Sequence, residues 1–271
     1  MIAPRSVLFV PAVNARALEK ARGLDCDAVV IDLEDAVGPD RKVDARRAAV
    51  EALAGDWGEK TVAVRVNAAD TPWGADDLQA LAQARPGAAV LPKVGSAREI
   101  AAAVAALGPT PVWAMIETLA GVLDMAAIGS ADGVGALILG QNDLAAEMGC
   151  RPGVAREPLH LAMSLIVSTA RLRGLFALDG VFNALEDGAG FEVECRQGRA
   201  FGFHGKTLIH PSQIAAANTA FSPDADEIAW AEAVVAAYAA PGATDAGVIR
   251  VGGRMVERLH LDEARRMLQR R

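Results

Sequence analysis

Short, nearly unbroken aliphatic runs recur along the chain at residues 7–10, 28–33, 61–66, 88–92, 112–116, 135–139, 176–181 and 205–209. A half-exposed strand alternates apolar and polar residues, whereas a continuous run fits a strand buried on both faces of a parallel sheet. Between the runs lie stretches with helical spacing, among them 14–24, 41–54, 75–84, 97–107 and 158–173. Gly38-Pro39, Gly95-Ser96 and Pro211-Ser212 punctuate the joins, as residues that favour turns do. Eight strands alternating with helices predict a (β/α)8 TIM barrel of the α/β class, with a doubly wound open sheet as the main competitor.

The rhythm changes after Phe221. Ser222-Pro223 followed by Asp224, Asp226 and Glu227 reads as a helix start, with a cap, a proline in the first turn and acids near the positive end. That helix is expected to run to about Ala240 and stop at Pro241-Gly242. A short strand at 248–251, a turn at Gly252-Gly253 and a final helix from about Leu259 complete the pattern. The expected division is therefore a barrel over 1–221 and a C-terminal helical extension over 222–271 that packs on a neighbouring subunit.

Composition narrows the function. The chain is 271 residues, 52% hydrophobic and 23% charged, with aromatics at 4%, so it can bury an aliphatic core. A net charge of -7 argues against a broad nucleic-acid surface, which needs a basic face. Cys26, Cys150 and Cys195 are widely spaced and form no metal-ligand pattern, so a reducing, cytoplasmic setting is expected. No membrane partner is expected either. The most apolar region, 100–140, is cut by Gly108, Pro109 and Pro111 and carries Glu117, Asp124 and Asp132. The early run at 7–10 is broken by Pro11 and is too short for a signal-peptide core.

Catalytic groups in such barrels gather at the C-terminal ends of the strands. Here those ends carry Asp32, Glu34 and Asp35, then Arg65 and Asn67, then Lys93, Glu117 and Gln141-Asn142-Asp143. Asp179, Lys206 and His210 follow on the last two strands. Glu117 and Asp143 are one βα unit apart, on neighbouring strands about 4.8 Å from each other. Two carboxylates that close repel unless they share a proton or a cation. With only hard oxygen ligands nearby, Mg²⁺ or Mn²⁺ is the indicated ion. The competing role for each is a helix cap, Glu117 for the helix near Thr118 and Asp143 for Leu144 onward.

Asp32 and Glu34 alternate along one strand and so face the same side, as partners of metal-bound water or of Arg65 and Lys93. Arg65, a charge inside an apolar strand, is costly to bury alone and suits a carboxylate or a developing oxyanion. Lys93 reads either as an ion-pair partner of the acids or as a Schiff-base nucleophile. His210, before Pro211, reads as a residue that positions backbone.

Taken together these motifs resemble a known family. Arg5-Ser-Val-Leu-Phe-Val-Pro and Asp27-Ala-Val-Val-Ile-Asp-Leu-Glu-Asp-Ala-Val with Lys42 and Ala45-Arg46 are similar to the citrate lyase β-subunit. So are Val64-Arg-Val-Asn, Leu91-Pro-Lys, Ile116-Glu-Thr, Gly140-Gln-Asn-Asp-Leu-Ala and Gly202-Phe-His-Gly-Lys with Ile209-His-Pro-Ser-Gln-Ile. The resemblance spans nearly the whole chain and extends to the HpcH/HpaI aldolases and the malyl-CoA and citramalyl-CoA lyases. It implies a (β/α)8 barrel, Mg²⁺, a CoA thioester and 2-keto acid as reaction partners, and a homotrimer or dimer of trimers.

Carried over by position, the family's metal ligands fall on Glu117 and Asp143 and its substrate-binding arginine on Arg65. The strand-two acids fall on Glu34 and Asp35, near the metal waters. The CoA-lyase relatives place an acid/base Asp in a Met-Ile/Val-Asp stretch that reaches a neighbouring subunit. Here Gly253-Arg-Met-Val-Glu-Arg puts Glu257 there, one methylene longer. The expected catalytic set is thus Arg65, Glu257, Glu34 and Asp35, with Arg65, Glu117, Asp32 and Lys93 meeting substrate. Arg5, Lys42 and Arg46 are weak candidates for the CoA anions. The expected reaction is Mg²⁺-dependent Claisen-type cleavage or formation of a 3-hydroxyacyl-CoA such as malyl-, citramalyl- or citryl-CoA. The alternatives are a CoA-independent aldolase acting on a 2-keto-4-hydroxy acid, and a lyase subunit acting on an acyl-carrier-protein thioester within a complex.

Overall fold

The computed structural model describes residues 3–240 and 247–269, which divide into two compact units meeting in sequence at residues 219 and 220. The first is a closed barrel of eight parallel strands in sequential order. The strands are β1 (Ser6–Pro11), β2 (Ala28–Asp32), β3 (Thr61–Arg65), β4 (Ala88–Leu91), β5 (Val112–Ile116), β6 (Val134–Leu139), β7 (Phe176–Asp179) and β8 (Gly205–Leu208). Each coincides with one of the aliphatic runs, and β2, β4, β5 and β8 are buried along their whole length. The open-sheet competitor falls because β1 pairs with β8 as well as β2.

Alternation along the strands fills the interior. Val7, Ala28, Val30, Ala63, Ala88, Val90, Trp113, Met115, Ala136, Ile138 and Leu178 form one cluster, with Phe9 and Phe176 against it. These are every second residue of neighbouring strands, so they are the inward face. Continuing the same rows upward reaches Asp32, Arg65 and Glu117 at the C-terminal mouth, where Asp32 stands opposite Arg65 in register. Asp179 is one step out of phase with Leu178, and Lys206 with Thr207. They belong to the layer between sheet and helices.

The second unit holds helix Ala225–Ala239, the antiparallel hairpin β9 (Val248–Val251) and β10 (Arg254–Glu257), and helix Arg258–Leu268. Ala231, Val234, Tyr238, Val251, Val256 and Ala264 form its core, and the Tyr238 hydroxyl donates to the Val256 carbonyl at 3.1 Å. The first helix starts later than expected. Asp224, not Ser222, is the cap, because its carboxylate and that of Glu227 each accept the other's amide at 2.8 Å. β10 occupies residues where the sequence suggested only a turn before the last helix. The expected stop at Pro241-Gly242 lies outside the described residues. Among the described residues no helix is long and apolar enough to cross a membrane.

Gly205 sits at the seam that closes the barrel, where a Cβ would run into the backbone carbonyls of Pro4 and Arg5. Gly205→Ala is therefore expected to push β8 from β1 and cost about 1–3 kcal/mol, as overpacking does. A lowered Tm with faster amide exchange at Val7 and Leu8 is the expected result, and an unchanged Tm would refute it.

Candidate active site

A cavity of about 400 Å³ opens at the C-terminal mouth, lined on one side by Asp32, Asp35, Arg65, Glu117 and Asp143. Leu139, Gln141, Asn142, Val181, Asn183 and Ile209 line the other side. The charged side begins with Arg65, which is 8% exposed and sits above the Phe9 ring with its guanidinium carbon 5.0 Å from the centroid. Asp32 grips it bidentately, with Nε–Oδ1 2.7 Å and Nη2–Oδ2 2.6 Å. The same carboxylate accepts the amides of Glu34 at 2.9 Å and Ala36 at 3.3 Å. Burial alone would lower the Arg65 pKa, but the Asp32 hydrogen bonds and the charges of Asp32, Glu34 and Asp35 raise it instead. Arg65 stays a cation.

The loop after β2 is pinned from below. Lys42, on helix Lys42–Leu53, donates to the carbonyls of Leu33 at 2.8 Å and Glu34 at 2.7 Å. Burial lowers its pKa, and the neighbouring acids only partly offset this. Glu34 and Asp35 are thereby presented to the site. Arg65 Nη1 lies 3.3 Å from Asp35 Oδ2. It also lies 3.0 Å from Glu34 Oε2, near enough for attraction but out of line for a hydrogen bond, so that buried oxygen has no donor. Burial raises the Glu34 pKa against the pull of Arg65 and Lys93.

Lys93 joins the two acidic clusters. Its ammonium is 2.6 Å from Glu34 Oε1 and 3.8 Å from both Asp35 and Asp143. Its backbone is left-handed, at φ 53°, which aims its amide at Glu117 Oε1 at 2.7 Å. Burial would lower the Lys93 pKa, but the hydrogen bond and charge of Glu34, then Asp35 and Asp143, push it up to about 12. A Schiff-base lysine needs a neutral amine. The ion-pair reading of Lys93 therefore prevails over the nucleophile.

Glu117 is 3% exposed, and burial together with Glu34 and Asp143 pushes its pKa up to about 7. Gly140 lies directly on its carboxylate, and any Cβ there would collide with it. The chain's Gly140-Gln-Asn-Asp thus wraps the acid closely. Neither Glu117 nor Asp143 is a cap. Thr118 caps helix Leu119–Leu123 by accepting the Gly121 amide, and helix Gln141–Glu147 begins before Asp143 with Gly140 at its cap.

Among the described residues no three His, Cys, Asp or Glu converge as a cage for a metal ion. The site instead offers two carboxylates, Glu117 and Asp143, beside an undonated oxygen of Glu34. Asp32, Glu34, Asp35, Glu117 and Asp143 face Arg65 and Lys93, and the first three also feel the charge of Lys42, so the carboxylates still outnumber the cations when all are ionised. A hard divalent cation with water and substrate as its other ligands fits that donor set.

Several expected residues are elsewhere. Asp179 and Lys206 are withdrawn into the helix layer and paired at 3.0 Å. Asn67 is buried against Asp77 at 2.6 Å and anchors helix Gly74–Ala84. His210 accepts the Ser212 amide at 3.2 Å and shapes the turn at Pro211, as its sequence context suggested. The anion candidates are all engaged. Arg5 is bidentate on Asp27, Lys42 holds the β2 loop, and Arg46 binds Asp77 at 2.6 Å. Glu257 belongs to the second unit, where it is the last residue of β10 and its amide donates to His260 Nδ1 at 2.9 Å. Gly140 and Lys42 build the site without the sequence marking them for that role, although the run Gly140-Gln-Asn-Asp carries the signal for the first.

Comparison with known proteins agrees with the barrel fold. The model of the family described as HpcH/HpaI aldolase/citrate lyase matches residues 5–211. A (3S)-malyl-CoA thioesterase of Cereibacter sphaeroides is 44% identical over 265 residues, covering 97% of this chain and 93% of that protein. An L-malyl-CoA/beta-methylmalyl-CoA lyase of the same organism is 32% identical over 292 residues, covering 96% and 92%. Among solved structures, CitE from Mycobacterium tuberculosis in complex with magnesium, acetoacetate and coenzyme A is similar with a TM-score of 0.81. It is 34% identical, over 99% of this chain and 98% of that one.

The raised pKa of Glu117 predicts a pH-dependent stability in EDTA. Its folded pKa of about 7 lies above the ordinary carboxylate value of 4.5. Stability is then full below the unfolded pKa and is lost as pH rises through the folded one. Glu117→Gln should gain Tm over the parent between about pH 4.5 and 7, hold that gain above pH 7 and show none below pH 4.5. Equal Tm at pH 8 would contradict the buried, ionised carboxylate.

Proposed function

The chain belongs to the HpcH/HpaI aldolase/citrate lyase family, and from that premise we propose that it is a Mg²⁺-dependent carbon–carbon lyase acting on a malyl-type 3-hydroxyacyl-CoA. The observation that carries this reading is the convergence of Glu117, Asp143 and the Asp32-clamped Arg65 on one cavity. Glu117 and Asp143 would hold the cation, and Mn²⁺ would suit the same oxygens. When bound, the ion supplies Lewis-acid polarisation of the substrate's oxygens.

The chain's own groups divide the remaining work. Arg65, rigid and permanently charged, receives the substrate carboxylate or the oxygen on which negative charge develops. Asp32 keeps the guanidinium from rotating and does not itself meet substrate, since its oxygens are spent on Arg65 and two amides. Glu34, Asp35 and Lys93 surround the loading site and hold its charge balance. In cleavage the hydroxyl loses its proton, the bond between C2 and C3 breaks, and a 2-keto acid leaves. The electron pair passes to the acyl-CoA fragment as an enolate, which takes up one proton. Glu257, delivered by a neighbouring subunit of a homotrimer or dimer of trimers, is the carboxylate proposed to give that proton, and to remove it in the condensing direction.

A second reading is favoured by the higher identity to the malyl-CoA thioesterase than to the lyase. The same substrate binding would serve hydrolysis, in which water adds to the thioester carbonyl and the CoA thiolate leaves. The purified chain with malyl-, citramalyl- and citryl-CoA, in Mg²⁺ and in EDTA, separates the two. Keto acid without free thiol is the expected result. Free thiol without keto acid would assign hydrolysis, and silence from folded, Mg²⁺-supplied protein would overturn both. Arg65→Ala should depress turnover by roughly 10² or more, the loss usual for an oxyanion donor.

A further inference from the structure

A second network of buried charge lies in the layer between the barrel and its helices. Arg156 is 2% exposed, although it sits in the loop before helix His160–Arg173, and its backbone is left-handed at φ 51°. Few non-glycine residues adopt that conformation, so something holds it there. Its guanidinium grips Asp179 with Nη1–Oδ1 2.8 Å and Nη2–Oδ2 3.1 Å. Nε donates to Gln197 Oε1 at 2.8 Å, and Nη1 also donates to Gln141 Oε1 at 3.0 Å. Lys206 and Glu194 complete the group, 2.7 Å apart, with Lys206 3.0 Å from Asp179. Two cations therefore meet two carboxylates. Burial alone would raise the Asp179 pKa, but Lys206 and Arg156 hold it below the ordinary carboxylate range.

This network is balanced, so it has no charge of its own to offer a ligand. The Arg156 guanidinium meets the cavity through Gln141, the first residue of helix Gln141–Glu147 and a cavity-lining residue, while the Asp179 carbonyl accepts from the cavity-lining Thr207 at 2.9 Å. The other end of the Gln141 amide donates to the Val181 carbonyl at 2.5 Å, on the loop after β7. Asp143 is two residues further along the same first turn. Across the cavity rim, Asn183 donates to Asn142 Oδ1 at 2.8 Å. Arg156 thus touches one of the two side chains that tie the Asp143 turn to the next loop, the other being Asn142.

We propose that Arg156 is a positioning residue for the metal ligand Asp143, acting through Gln141. The proposal rests on the reading of Glu117 and Asp143 as the cation's ligands. Arginine is needed because its planar fork reaches Asp179, Gln141 and Gln197 at once; lysine would keep the charge and lose that reach. Loosening the fork frees the first turn to rock against Glu117, and the cation then meets its two carboxylates out of register.

The test is the Mn²⁺ dissociation constant of the full chain, read by electron paramagnetic resonance without substrate, with Tm measured in EDTA. Arg156→Lys should weaken Mn²⁺ binding by about 10-fold or more, as loss of a group orienting a metal ligand does. Gln141→Met should do likewise, and the double variant should be no weaker than the worse single, because both cut one relay. Gln197→Met, outside the cavity, should weaken binding by about 3-fold through Arg156 alone, and it decides the matter if Arg156→Lys does not fold. Mn²⁺ affinity of Arg156→Lys within about 2-fold of the parent, or losses that multiply in the double variant, would overturn the relay. So would an unchanged Gln197→Met, or a parent chain that binds no Mn²⁺. A parent that binds Mn²⁺ but turns over no thioester would sink the proposed reaction and support the relay if the variants behave as stated.

Discussion

A guanidinium buried in the mouth of a closed barrel has to be neutralised where it stands, and the charged half of the site is arranged around that requirement. Arg65 arrives there because β3 alternates, and the row that puts Ala63 in the core puts Arg65 above it. Unpaired, it would cost far more than any single apolar contact in the barrel returns. Asp32 answers it from the neighbouring strand in register, and in doing so gathers the amides of Glu34 and Ala36. That choice curls the loop after β2 inward. Lys42 then completes the curl from outside, which leaves Asp35 on the cavity and Glu34 buried against Arg65 and Lys93. Lys93 passes the arrangement on, binding Glu34 through its side chain and Glu117 through its amide.

The two ionic networks of the barrel differ in a way that assigns their roles. The inward one places five carboxylates against Arg65, Lys93 and the nearby Lys42, and leaves a buried Glu34 oxygen without a donor. The outward one sets Arg156 and Lys206 against Asp179 and Glu194 and leaves none of these four with an undonated buried atom. Excess charge is tolerated in a fold only where something else is to arrive. A balanced network of the same density is scaffolding, and its effect is to fix geometry. One residue of phase along β7 and β8 separates the two.

The strands were readable because a strand buried on both faces leaves an unmistakable run, and every run became a strand. Strand-end charge was readable too, since Asp32, Arg65 and Glu117 interrupt or end apolar runs. What alternation hides in such runs is which face is inward. Phe176-Ala-Leu-Asp is apolar up to its last residue, so nothing in it says that Asp179 points out while Leu178 points in. Partners distant in sequence are hidden as well. Arg5, Lys42 and Arg46 look like free cations until Asp27, the Leu33 and Glu34 carbonyls and Asp77 are brought to them. Arg156, in a loop rich in glycine and proline, carries no periodic signal at all. β10 was missed because Arg254-Met-Val-Glu buries only Val256 and so lacks an aliphatic run.

The charged half of the cavity cannot by itself choose between breaking a carbon–carbon bond and hydrolysing a thioester. Under the proposed reading both reactions would begin from the same bound hydroxy acid, held by the same cation site and the same guanidinium. Under the same reading the choice would be made where the thioester lies, which is proposed to be the wall opposite the charged one. There Gln141, Asn142 and Asn183 offer amides rather than acids, beside Leu139, Val181 and Ile209. Amides can hydrogen-bond a thioester carbonyl or orient a water, but they cannot give or take the proton that an enolate requires. Cleavage therefore depends on a carboxylate brought from outside this wall, which is the role proposed for Glu257, whereas hydrolysis needs only ordered water. If Glu257 has that role, its extra methylene, relative to the shorter acid that the resemblance implies for the lyases, falls at the position where the two chemistries would diverge.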